Sequence, residues 1–294
     1  MQLTLLLIMV AAPLAAEESA ASFLNIPIGA KAAGLGSAFT AVADDASAIY
    51  WNPGALAHFQ RRHVGLSHAE LYGQTRHDFL GYVHPTKLVH LGVGVSYLSQ
   101  PKIEGRDVSG LETSAFTASD RSFSLHLAKP VGRVGLGFGA KVIQQQIADT
   151  TASTFALDFG ASYRATQSLS FGLAAMNIGP PLKMGTQSDP LPFSFSAGAA
   201  YSVRQLMFSA DLRHRVHEQR TGVGVGMQVQ AFKGVFLRTG YSASKDPSSA
   251  ETSYWNLSRF TGGMGLRLSG FMLDYAFVPM EIADTQRLSL GLEF

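Results

Sequence analysis

From about Arg62 to the last residue, apolar side chains alternate one for one with small or polar ones, in runs of roughly ten residues. Val89, Leu91, Val93, Val95 and Tyr97 alternate with His90, Gly92, Gly94 and Ser96. Phe155, Leu157, Phe159, Ala161 and Tyr163 alternate with Ala156, Asp158, Gly160 and Ser162. The last strand, with Leu288, Leu290, Leu292 and Phe294 on one side, keeps the period to the terminus. A period of two puts every apolar residue of a strand on one face. No uninterrupted run of about 18 apolar residues follows the N-terminal region, so a membrane could be crossed only by strands.

About fourteen such runs are read, joined by connections that alternate in length. Short turns are expected at Pro85–Thr86, Pro130–Arg133, Ala165–Ser168, Val203–Arg204, Lys233–Gly234 and Ser269–Gly270. Longer polar connections are expected at Leu71–Arg76, Gln100–Asp120, Ala148–Ala152, Gly179–Pro190, His217–Gln219, Ala243–Ser258 and Glu281–Asp284. An even number of antiparallel strands with this asymmetry is the anatomy of an outer-membrane barrel. The expected fold is therefore all-β: a closed antiparallel transmembrane β-barrel of about 14 strands, with the short turns and the C-terminus in the periplasm. The charged fraction of 15%, against about a quarter in soluble domains, agrees with that. Tyr97, Tyr163, Tyr201, Tyr241 and Tyr275 fit interfacial girdles, and Phe294 fits a C-terminal signal for the barrel-assembly machinery.

The side of the strands opposite Phe, Leu and Val holds glycine, serine and isolated charges, which in a barrel face the lumen. Asp211, Arg213, Arg215, Arg238, Arg267 and Asp274 form a candidate lumen charge ladder, in which opposite signs on adjacent strands can pair. Asp211, Arg213, Arg215 and His217 could alternatively hold an anionic head group such as a fatty-acid carboxylate. Large apolar residues are scarce in this inward set, which weighs against a greasy channel, although Phe236, Met272 and Val278 belong to it.

Leu3 to Val10 followed by small residues up to Ala16 reads as a signal peptide, residues 1–16, of an exported protein. Residues 17–60 form a separate segment and 61–294 the barrel. Between Ser22 and Phe59 the strand period is lost, and the stretch is too apolar for a solvated linker. A 14-stranded barrel needs filling, so the segment is expected to be a plug, or hatch, inside the lumen. Gly29, Gly34 and Gly36 permit close backbone approach. Asp44 or Asp45 can cap a short helix over Ala46–Tyr50, with Ser47 in its first turn, and Asn52–Pro53 would end it.

The stretch Ile28–Ala57, with Gly-Ala-Lys-Ala-Ala-Gly-Leu-Gly at its start, Asp-Asp-Ala-Ser at its centre and Trp-Asn-Pro near its end, resembles the N-terminal signature of the PorV/PorQ proteins, relatives of the FadL-type fatty-acid transporters. Family members usually read Asn-Pro-Ala-Gly-Leu where this chain has Asn52-Pro53-Gly54-Ala55-Leu56. The resemblance implies a 14-stranded barrel plugged by its N-terminus, and one of two functions. PorV-like members receive secreted cargo proteins for a type IX secretion system. FadL relatives pass hydrophobic small molecules such as long-chain fatty acids. The first is the leading expectation, with loops Gln100–Asp120 and Ala243–Ser258 as the docking surface, and the second is the alternative.

Other chemistries find little support. Absence of cysteine excludes thiol nucleophiles and cysteine-ligated clusters, and no basic tract suggests nucleic acid. Gly34-Leu35-Gly36 lacks the strand and the third glycine of a dinucleotide fingerprint. His63, His68, His77, His84 and His90 cluster near the first strands, but spacing assigns them no serine or aspartate, so no enzyme activity, metal or cofactor is expected. An inward His–Ser or His–Asp contact would be the sign that reopens catalysis.

Overall fold

The computed structural model describes residues 17–245, 259–279 and 284–294. The expected signal peptide, residues 1–16, lies outside the described residues, as do 246–258 and 280–283 of two long connections. The chain forms β1 (His63–Glu70), β2 (Arg76–His84) and β3 (His90–Ser99), then a hairpin of β4 (Ile103–Arg106) and β5 (Glu112–Phe116). Next come β6 (Ala118–Val131), β7 (Val134–Ile147), β8 (Thr150–Arg164), β9 (Leu169–Ile178) and a second hairpin of β10 (Leu182–Met184) and β11 (Gln187–Asp189). The remaining strands are β12 (Ser194–Val203), β13 (Leu206–Arg215), β14 (Arg220–Phe232), β15 (Val235–Lys245), β16 (Phe260–Leu268), β17 (Phe271–Val278) and β18 (Thr285–Glu293).

Fourteen of these close into one antiparallel barrel in the order β1-β18-β17-β16-β15-β14-β13-β12-β9-β8-β7-β6-β3-β2, and the two hairpins stay separate. The seam is β1 on β18, in register from His63 opposite Glu293 to Glu70 opposite Gln286. Two backbone hydrogen bonds of 3.0 Å between Arg62 and Phe294 continue it, so the terminal residue is itself part of the closure. Closure leaves no strand edge unpaired, the condition for strands in lipid.

Alternation sorts the faces as the sequence requires. Phe123, Phe155, Leu173 and Phe195 are each half exposed on the outside, while Ser124, Lys141, Asp158 and Ser196 are buried inside. An apolar belt encircling the whole surface far exceeds the patches of soluble monomers, which makes this a membrane-spanning barrel.

The short turns fall where expected. The longer connections differ in two ways. First, Ala148–Ala152 shortens to a tight turn at 148–149: β7 and β8 continue in register to Ile147 opposite Thr150. The polar residues Gln144–Gln146 and Thr150–Thr151 mark where the apolar belt ends, and polarity outside the belt does not end a ladder. Second, Gln100–Asp120 and Gly179–Pro190 carry the β4–β5 and β10–β11 hairpins.

Residues 17–59 thread the lumen from the long-connection mouth to the short-turn end. At the mouth Glu17 N–H donates to His217 O and Ala20 N–H to Pro190 O. At the other end Phe59 packs edge-on to His63 at 4.7 Å. Between them lie a 3-10 turn at Ser22–Asn25, α1 (Ala30–Gly34), α2 (Ala48–Trp51) and a 3-10 turn at Pro53–His58. The helix expected over Ala46–Tyr50 thus starts two residues later and ends one later, and neither aspartate caps it. Asp45 Oδ1 instead accepts from Ser47 N–H (2.8 Å) and Oγ (2.5 Å) ahead of the helix, while Asp44 pairs with Lys31 (2.6 Å).

Inward-facing glycines let this segment lie directly on the wall. A Cβ on Gly54 would meet Gly160 C and Ala161 Cα at 2.7 Å. That contact accounts for the Gly54–Ala55 order in this chain, since an alanine at 54 would collide with strand backbone. Gly36 has φ +62°, and a Cβ there would meet Tyr241 N and O at 2.6 Å, so both conformation and space require glycine.

Candidate functional site

The lumen divides into an apolar mouth, a basic cavity beside it and a polar lower chamber, all defined by residues 17–59. At the mouth Phe23 and Leu24 pack with Leu98, Ile143, Ala152 and Ala156 of the barrel and with Leu182 and Leu191 of the connection from β9 to β12. Inward-facing Phe79 and Val83 join Leu35, Phe39, Ile49, Trp51 and Leu56 in a second apolar cluster further down. The expectation of an inner face poor in apolar residues is therefore corrected. Ile143 and Val83 are fully buried inside the lumen, and the segment supplies the rest of the apolar surface.

One carboxylate ties the N-terminal segment to the mouth. Glu218 accepts from Ser19 Oγ (2.6 Å) and Asn25 Nδ2 (2.7 Å) and pairs with Arg215 (3.3 Å). Next to it a cavity of about 110 Å3 is lined by Pro27, Gly36, Asp211, Arg213, Arg215 and Arg220, with neighbouring strand residues.

The signature residues do structural work that spacing could not specify. Asn52 Nδ2 donates to Thr40 O (2.9 Å) and to Ala161 O of β8 (3.0 Å), and its Oδ1 accepts from Gly54 N–H (2.9 Å). It thus joins two stretches of the segment to the wall, and Pro53 opens the following turn. Trp51 Nε1 donates to Ile28 O (2.9 Å), and the Arg213 guanidinium lies over its ring at 4.6 Å, a cation–π contact. Gly29 N–H donates to Ser67 Oγ (3.2 Å), and Gly34 lies against Gly263, whose Cα a Cβ would meet at 3.3 Å.

The six charges proposed as a ladder do not form one. Arg238 and Asp274 pair at 2.5 Å, reaching across β16 where Gly265 leaves room. Asp211 instead caps the plug, its Oδ2 accepting from Phe39 N–H (2.9 Å) and Thr40 N–H (2.7 Å). Arg213 donates to Ser196 Oγ (3.0 Å), Arg215 pairs with Glu218, and the exposed Arg267 reaches Met272 Sδ (3.2 Å). Burying residues 17–59 in the lumen gave two of the six, Asp211 and Arg213, partners that no strand-to-strand argument includes, the Phe39 and Thr40 amides and the Trp51 ring. Replacing Asp211 by Ala is expected to orphan both amides, at about 1–3 kcal/mol each, and to lower the unfolding midpoint of the detergent-solubilised protein. An unchanged midpoint would show that Asp211 does not hold the segment.

The lower chamber, about 80 Å3, is bordered by Lys31, Asp44, Asp45, Arg238, Arg267 and Asp274. Burial raises the Asp45 carboxyl and the neighbouring Asp44 charge adds to it. At Asp44, burial is outweighed by Lys31 together with Arg267 and Arg238, and the carboxyl is lowered. At the short-turn end, burial and then Arg164 hold the His58 imidazole down at about 4.

A buried network was not anticipated as a site. Asp158 Oδ2 pairs with Lys141 Nζ (2.8 Å) and His126 Nε2 (3.2 Å), and its Oδ1 accepts from Asn177 N–H (2.8 Å). Asn177 has φ +65° and sits in a bulge, where the β8–β9 register slips between Leu157 and Phe159. Lys141 Nζ also donates to Asn177 Oδ1 (2.7 Å). Alternation had placed Lys141 and Asp158 inward, but a bulge leaves no mark in the period.

Inward His–Ser and His–Asp contacts, which spacing could not assign, do occur. His77 Nε2 lies 2.7 Å from Ser96 Oγ, and His126 bonds Asp158. The two lie apart: His77 has no hydrogen-bonded carboxylate to orient it, and Asp158 is spent on Lys141 and the bulge. No nucleophile–base–acid relay results among the described residues. No group of three or more metal-ligating side chains is found among them either.

A model of an uncharacterised protein family (UPF0164) matches residues 14–115. No curated protein matches the sequence. The fold has clear counterparts. The toluene transporter TbuX of Ralstonia pickettii superposes with a TM-score of 0.64 at 12% identity, covering 90% of this chain and 98% of that one. A FadL homologue of Pseudomonas aeruginosa gives 0.64 at 11% over 92% and 98%, and the CymD monoaromatic hydrocarbon channel 0.62 at 12% over 91% and 97%. None of these likenesses supports the PorV/PorQ assignment or a secretion role. At such identities they establish architecture alone: the chain has the fold of the FadL-type outer-membrane barrels.

Proposed function

We propose that the protein is a non-enzymatic outer-membrane conduit for hydrophobic small molecules that carry an anionic head group. The observation that carries the reading is the pairing, at one mouth of a plugged lumen, of an apolar cluster with an arginine-lined cavity. Ile26 packs on the cluster and the next residue, Pro27, lines the cavity, so the two adjoin along the chain. A hydrocarbon tail taking the place of Phe23 and Leu24 would leave its carboxylate within reach of Arg213 and Arg215, where bidentate guanidinium contacts favour it. The fold shared with a toluene transporter and a monoaromatic hydrocarbon channel supports the hydrophobic half of the reading, and the arginines support the acid. In this reading the short turns and Phe294 face the periplasm, where Phe294 serves the assembly machinery, and residues 17–59 act as the hatch.

Uptake of radiolabelled oleate and of toluene by cells with and without the protein tests it. Faster oleate uptake, reduced several-fold by Arg213→Gln with Arg215→Gln while toluene is unaffected, is the expected result. Equal uptake with and without the protein would remove the conduit. Capture of an exported protein by the long connections, without any uptake, would restore the secretion reading.

A further inference from the structure

The chain carries a net charge of only +2, yet closure of the barrel segregates it. The short-turn rim bears Arg61, Lys87, Lys129, Arg133, Arg204 and Lys233, all exposed. The carboxylate side chain found among them is Glu293, 3.8 Å from Arg61. At the opposite end, exposed acids such as Glu17, Glu70, Glu104, Asp107, Glu112 and Asp149 are interspersed with the bases.

The rim cations do not stand alone. Lys87 is followed by Leu88, 81% exposed, and Lys233 is preceded by Phe232, 74% exposed. Arg133 lies two residues from the exposed Val131, and Arg204 follows the exposed Val203. At the neighbouring β16–β17 turn Leu268 is 76% exposed. Water alone gives no reason to present a large apolar side chain beside a cation at turn after turn. A headgroup layer does: the apolar group enters the acyl boundary while the cation meets phosphate.

We propose that the short-turn rim binds the headgroups of an anionic phospholipid leaflet, with the Lys and Arg of successive turns on the phosphates and the adjoining Leu, Val and Phe in the acyl boundary. The pattern favours a lipid surface over an acidic protein, because the apolar groups ring the circumference at one level instead of gathering into one patch. This does not depend on what the lumen carries, nor on which leaflet the turns meet.

The folded mature chain is reconstituted in vesicles of phosphatidylcholine with a minor fraction of spin-labelled phosphatidylglycerol or spin-labelled phosphatidylcholine. The immobilised fraction of each label gives their relative association constant. Each cation in contact contributes about five-fold at low ionic strength, from roughly 1 kcal/mol per Lys or Arg near the surface. Wild type is expected to prefer phosphatidylglycerol by at least that factor, with the preference shrinking as salt is raised. The quadruple variant K87Q/R133Q/R204Q/K233Q is expected to lose it, and K102Q/R106Q on the β4–β5 hairpin to keep it. Heat-modifiable gel migration shows that each variant is folded. Equal association of both lipids with wild type, or a preference surviving in the quadruple variant, would overturn the proposal. So would an unselective rim that instead retains an acidic periplasmic protein.

Discussion

Deleting residues 17–59 is expected to turn a closed barrel into an open pore, seen in planar bilayers as discrete conductance steps absent from the intact protein. The argument is geometrical. Fourteen strands enclose more space than their inward side chains fill, and many of those positions are glycine. Gly137, Gly160, Gly172, Gly224, Gly226 and Gly240 all lie against backbone of the threaded segment, so its removal leaves a bare channel. Backbone closure through β1 and β18 does not involve the segment, so the barrel should keep its heat-modifiable migration. Gly36→Val tests the same contact more gently. It forces a β-branched residue into φ +62° and drives Cβ into Tyr241 backbone, so it should give flickering openings. A deletion variant that folds yet stays closed would show that other residues occlude the lumen.

The second large effect is expected at Asp158. Its carboxylate is fully buried and serves Lys141, His126 and the displaced amide of Asn177. Asp158→Ala leaves an ammonium group and an N–H buried without a counter-ion or acceptor, and should cost about 3–5 kcal/mol, the usual consequence of removing one member of a buried pair. Replacing both Asp158 and Lys141 by Leu removes the stranded charge, so about 1–3 kcal/mol should remain, from the Asn177 amide. Denaturant unfolding of both variants in lipid vesicles measures the difference. Loss of less than about 1 kcal/mol in the single variant would mean that water reaches the pair and that the bulge holds without it.

These two predictions sit on opposite sides of what a sequence can convey. Strand alternation is a local signal, repeated along the chain, and it carried the barrel, its strand number, the inward assignment of Lys141 and Asp158, and the positions of the short turns. It failed where a local cue was ambiguous. Thr150–Ala152 read as part of a polar loop, yet the β7–β8 ladder runs to Thr150, because backbone pairing continues beyond the apolar belt wherever the partner strand is present. The strands of the two hairpins in the long connections are only three to five residues long, too short for a period of two to reveal them.

The Trp51-Asn52-Pro53 motif was legible as a resemblance, whereas its work was not. Asn52 bonds to Ala161 across 109 residues of sequence, and Asp211 reaches Phe39 and Thr40 across more. Partners so remote are fixed only when the barrel closes round the segment, and that closure also converted an expected charge ladder into separate attachments. The sequence by itself pointed to a closed, lipid-facing barrel, because nearly every strand sets Phe, Leu, Val or Tyr on one side against glycine, serine and isolated charges on the other, and strands facing lipid satisfy their backbone only by closing. Only the tertiary structure decided how the charges are shared out, with plug contacts inside, arginines beside an apolar mouth and a basic rim at the turns. Position around a barrel depends on strand order and register, which no single stretch of the chain encodes.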